Sequence, residues 1–64
     1  MYQVTAIYQG AEIGYGEGNC YEYAATECSE SVPDIYPVED VQMICAHGIL
    51  IVSTPLEIWR MFNN

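Results

Sequence analysis

Lysine is absent from this sequence, and Arg60 is its single arginine against nine aspartates and glutamates, giving a formal charge of −8. Nucleic acids and anionic membrane surfaces are bound chiefly through Lys and Arg, so direct binding of either is excluded as a main function. Long apolar runs are missing too. The longest aliphatic stretch, Ile49–Val52, is far short of the roughly 20 residues that span a bilayer. No basic segment precedes an apolar one, so no signal peptide is expected. Cysteines are few and badly placed for staples. Cys20 and Cys28 are eight residues apart, which on a helix puts them about 12 Å from each other. A disulfide needs Cα atoms within about 7 Å. Cys45 reaches at most one of them, so reduced thiols and a cytoplasmic setting are expected.

Catalytic patterns are equally scarce. The paired spacings that zinc sites require, such as C-x₂-C, do not occur. Cys45 and His47 form a nucleophile–base pair only on paper, because no third group is identifiable to orient the imidazole. No catalytic residue, metal ligand or cofactor is assigned. Gly14-Tyr15-Gly16-Glu17-Gly18 invites comparison with phosphate-cradling loops. It lacks their spacing, and Glu17 would repel phosphate. The stretch is expected to be a flexible turn whose glycines take positive φ.

What the chain does contain is centred on Asn19–Val32, NCYEYAATECSESV. At 100° per residue it splits into two faces. Cys20, Tyr21, Ala24, Ala25, Cys28 and Val32 fall on one side; Glu22, Tyr23, Thr26, Glu27, Ser29 and Glu30 on the other. Asn19 suits the N-cap, with Glu22 at capping-box spacing. Val32 precedes Pro33, a position pushed out of the α region, so the helix ends there. Its small apolar residues allow close packing on a sheet.

Strands flank this helix. Tyr2–Gln9 alternates with period two, Gln9-Gly10 signals a turn, and Ala11–Tyr15 returns. Pro33–Asp40 is an acidic, proline-punctuated connector. Val41–Ala46 and Ile49–Thr54 then form a second hairpin about His47-Gly48. Ile49–Thr54 is apolar on both faces over ILIV, which suggests a central strand or one covered by a partner. The expected fold is a single α+β domain, residues 1–64: two antiparallel β-hairpins making a four-stranded ββαββ sheet, one amphipathic helix packed on it, and a short C-terminal helix.

That last helix, Pro55–Phe62, follows a Thr-x-x-Glu box with proline at its first position. Glu57 and Arg60 lie at i, i+3 and are able to pair. Leu56, Ile58, Trp59, Met61 and Phe62 cover nearly the whole circumference, and a helix apolar all round must be buried. A chain of 64 residues hides only about 60% of its unfolded surface, and its core supplies roughly 3–5 kcal/mol. Self-association through these five side chains, with strand Ile49–Thr54 alongside, giving a homodimer, is therefore expected; the alternative is a tail folded back over the open sheet face of its own chain. Aromatic residues and Met are enriched at such contacts.

The segments YQGAEIGYGEG (Tyr8–Gly18) and YAATECSESV (Tyr23–Val32) carry a resemblance to the small acidic accessory proteins that tailed bacteriophages direct against their hosts. It spans about a third of the chain and rests on architecture and charge. Such proteins, as a class, bind and inhibit host enzymes or defence effectors, and several occupy nucleic-acid-binding surfaces as DNA mimics. The resemblance implies a non-enzymatic inhibitor in the host cytoplasm that docks on a basic surface of a host protein. The resemblance assigns no residue; on the chain's own pattern Glu22, Glu27 and Glu30 would supply the contacts, helped by Tyr23, Glu17, Asp34, Glu39 and Asp40. Two other classes compete: an oligomeric sponge for a nucleotide messenger, which the lack of bases disfavours, and a purely structural homo-oligomer.

Overall fold

A computed structural model describes residues 1–63 as an α+β fold. A four-stranded antiparallel sheet carries its helices on one face. In chain order the elements are β1 (Tyr2–Tyr8), β2 (Ala11–Gly18), α1 (Tyr21–Ser31), a 3₁₀ turn (Val38–Asp40), β3 (Gln42–His47), β4 (Leu50–Pro55) and α2 (Leu56–Asn63). The sheet runs β2-β1-β3-β4. The two hairpins are thus joined side by side through antiparallel β1 and β3, with Val4 opposite Cys45 and Ala6 opposite Met43.

The first turn forms where expected. Gln9 and Gly10 both take positive φ, 50° and 82°, as a type I′ hairpin requires. Beyond it the expectation fails. β2 does not stop at Tyr15 but continues to Gly18, and Gly14, Gly16 and Gly18 lie in the strand rather than in a flexible positive-φ turn. Their role is steric. A Cβ on Gly16 would overlap the carbonyl oxygen of Ala24 and the amide nitrogen of Cys28. The helix lies that close because Ala24, Ala25 and Cys28, all buried, are small.

Helix α1 starts one residue later than its wheel suggested. Cys20, not Asn19, is the N-cap, and no side chain caps it. Val32 leaves the helix with φ −76° and ψ 122°, the extended geometry that Pro33 enforces. Ser29, assigned to the outer face, is buried, and Cys20, assigned to the inner one, is exposed. The connector is partly ordered by Tyr36, Asp40 and Val41 N–H groups donating to Pro33, Pro37 and Val38 carbonyls.

The second turn is displaced by one residue. His47 pairs with Leu50, so the turn residues are Gly48 and Ile49. Gly48, at the first central position, takes φ 64°, the glycine placement of a type II′ turn. Strand β4 lies at the sheet's margin rather than at its centre. At the chain's end α2 begins at Leu56, whose N–H donates to the Val41 carbonyl at 2.9 Å. The tail is not uniformly buried: Leu56 and Trp59 join the core, while Ile58, Met61 and Phe62 face solvent.

Candidate functional site

The outer face of α1 presents Glu22, Tyr23, Glu27 and Glu30 to solvent. Docking on β2 brings Glu17 to this helix. Glu17 and Glu27 share a shallow cleft with Tyr15 and Ser31, and Glu17 and Tyr23 share the neighbouring hollow with Met1, beside Gly18 and Cys20. Glu17 is held in place by the Tyr15 hydroxyl, donating at 2.9 Å, and by Gln3 Nε2 at 3.4 Å. The Tyr15 phenol is raised above its usual value by loss of hydration, by this hydrogen bond and by the charges of Glu17 and Glu12.

Residues 10 apart in sequence, Glu17 and Glu27, therefore meet at one seam. Glu39 and Asp40 do not join them. They sit in the 3₁₀ turn that packs against α2 and β4, at the opposite margin of the sheet from β2. Asp34 is exposed in the connector.

The chain's only Lys or Arg side chain points away from this surface. Arg60 reaches inward from α2, its Nε donating to Ser29 Oγ at 2.9 Å and its Nη2 to the Ser29 carbonyl oxygen at 2.8 Å. The expected Glu57–Arg60 pairing gives way to this contact. No Lys or Arg side chain is therefore left to pair with Glu22, Glu27 or Glu30.

A second feature lies where α1 ends its coverage of the sheet. Tyr2, Tyr21, Cys45, His47, Leu50, Val52 and Thr54 line a groove of about 350 Å³. His47 stacks on Tyr2, centroids 4.3 Å apart and planes 8° from parallel, and the Tyr21 hydroxyl lies 3.4 Å from Thr54 Oγ1. Cys45 is buried at the groove floor. No group of three metal-binding side chains forms among the described residues, and none of their helices is long and apolar enough to cross a membrane.

This groove has no local signature. Tyr2 meets His47 only because β1 pairs with β3, a partnership that neither hairpin encodes by itself. Its one visible sign is the run Ile49–Val52, apolar on both faces. Comparison with protein-family models, with curated proteins and with solved structures returned no match.

Proposed function

We propose that this chain is a non-enzymatic, acidic protein-binding module, an inhibitor of the phage accessory type. It docks on a basic, nucleic-acid-binding surface of a host defence or nucleic-acid-processing protein, in a reducing compartment where its three free thiols persist. One observation carries the reading: Arg60, the single Lys or Arg side chain, is engaged with Ser29, leaving the carboxylates of Glu17, Glu22, Glu27 and Glu30 on a helix–strand surface where no Lys or Arg side chain competes for them. A rigid helix holds three of them, so little side-chain-bearing backbone must be ordered on docking.

Charge steers such an encounter, but each exposed ion pair is worth only about 0–1 kcal/mol. Tyr23, exposed beside Glu27, supplies the aromatic anchor that charge alone lacks. The groove's apolar lining and single imidazole do not suit a nucleotide messenger, whose phosphates favour Arg or Lys.

The test is capture from bacterial lysate on the immobilised chain at low and at physiological salt. A parallel bait carries Glu22→Gln, Glu27→Gln and Glu30→Gln. A basic partner retained by the native chain and lost by the triple variant supports docking through α1. No retained partner at either salt, or equal retention by both baits, sinks it.

A further inference from the structure

The two margins of the sheet are built differently. On the outside of β2 stand Glu12 and Glu17, and the β1–β2 register slips between Ala6 and Ile7, leaving Ile13 as an extra residue. Charges and bulges are the devices that stop a sheet edge from recruiting another strand. β4 has neither. Its residues Leu50–Thr54 are uncharged, its register against β3 is unbroken, and its one proline is the terminal Pro55. Leu50, Ile51 and Val52 are 63, 69 and 42% exposed, and Ile49 in the adjoining turn is fully so. Every second residue of β4 turns its backbone N–H and C=O away from β3.

We propose that β4 is the seam of a homodimer, pairing antiparallel with β4 of a second copy about a two-fold axis to give one eight-stranded sheet. An antiparallel edge is complementary to itself under such an axis. Charge selects the same arrangement. Two chains of −8 approach best along the uncharged residues of β4; the carboxylates of Glu39 and Asp40, on the 3₁₀ turn packed against that strand, lie at the same margin and add to the repulsion that salt screens. The strand order would become β2-β1-β3-β4-β4-β3-β1-β2, which keeps both acidic β2–α1 surfaces at the far ends.

Area is adequate as well. The exposed apolar strip of Ile49–Val52 is on the order of 400 Å² per copy, the size at which patches on isolated chains mark contact sites. Pairing along the edge covers the backbone between the two strips and the flanks of their side chains, up to about 1,000 Å² in all, the lower bound for a specific interface. Leu50 and Val52 from both copies fall on one face, so the two grooves become continuous across the seam. This pairing does not depend on the acidic docking reading, and it places the self-association expected of the tail on β4 instead.

Sedimentation of the full chain at micromolar concentration tests it, at about 50 and 500 mM salt. The expected species has the mass of two 7.2 kDa chains and tightens at high salt, because like charges are screened. Ile51→Lys should weaken it at least about tenfold by placing a charge on the seam in each copy. Its circular dichroism should not change, since the replaced side chain is exposed. Hydrogen exchange of β4 amides should slow with rising concentration of the native chain. A monomer at both salts, a dimer indifferent to Ile51→Lys, or β4 exchange independent of concentration overturns the proposal. So does a dimer dissociated by Phe62→Glu and unaffected by Ile51→Lys, which would put the seam on α2.

Discussion

Arg60 closes the C-terminal end of α1 from another helix: its guanidinium donates to both the hydroxyl and the carbonyl oxygen of Ser29, at 2.9 and 2.8 Å. Carbonyls in the last turn of a helix lack intrahelical partners and carry the negative end of its dipole. α1 itself has no basic residue in its last turn. A cation borrowed from α2 adds to the one long bond, 3.4 Å, that the Val32 N–H donates to this carbonyl, and it also explains why a serine on a polar stripe is buried.

Arg60→Met should therefore cost about 1.5–3 kcal/mol, the range for charge-assisted hydrogen bonds. Arg60→Lys should recover only part of this, because an ammonium group cannot reproduce the two-pronged geometry. Urea denaturation followed by circular dichroism measures both. Native stability in Arg60→Met would mean that the contact contributes nothing net.

Gly16→Ala should be more disruptive than its size suggests. The added methyl collides with backbone atoms of Ala24 and Cys28, so α1 must lift from the sheet, at a cost of about 1–3 kcal/mol or more. Gly10→Ala meets no neighbour; it pays only for its left-handed φ of 82°, about 1 kcal/mol. Thermal denaturation of the two variants should rank Gly16→Ala as the less stable. The reverse order would mean that α1 does not lie against β2 as closely as described.

These two glycines also show what can be read from a linear sequence. Gln9-Gly10 is a local signal, since both turn residues are adjacent and the flanking alternation points at them. Gly16 is required by a helix that arrives from eight or more residues further on, and the strand around it merely looks weak. The same division separates the surfaces. Glu22, Glu27 and Glu30 follow from helical periodicity alone. Glu17 joins them only through α1 docking on β2. Ile49–Val52 announces apolar contact, but its place at the margin depends on strand order, which no local pattern carries. Burial of Ser29 was hidden because its partner, Arg60, is 31 residues away.

Burial pushes the Cys28 thiol up to about 11 from an ordinary value of 9.0. A thiol raised in the folded state stabilises the fold fully below the unfolded value. That contribution is lost as pH rises from about 9 towards 11, where the unfolded chain releases its proton first. The native chain should therefore lose up to about 2 kcal/mol more than Cys28→Ala across this window, with urea midpoints as the measure. Parallel decline of both proteins would assign the loss to other groups. At pH 8 an alkylating reagent should label exposed Cys20 rapidly and leave buried Cys28 and Cys45 until denaturant is added. Equal labelling of all three in the native state would contradict the burial of Cys28 and Cys45.

The C-terminal helix divides into a half that holds the fold and a half that does not. Leu56 is fully buried and Trp59 is 8% exposed, whereas Met61 and Phe62 are 68 and 79% exposed. Removing a buried leucine costs about 2–5 kcal/mol, and a core this small offers a net of only about 3–5 kcal/mol. Leu56→Ala should thus leave much of the population unfolded at 25 °C, with circular dichroism losing its folded signal. Phe62→Ala, at a site with no core contact, should stay within about 0.5 kcal/mol of the native chain. Trp59 emission should be blue-shifted in the native chain and in Phe62→Ala, and shift to the red in Leu56→Ala as the indole meets water. Equal losses from the two substitutions would place the tail's apolar side chains in one common environment, as a helix buried on every side requires, and would remove the distinction between Trp59 and Phe62.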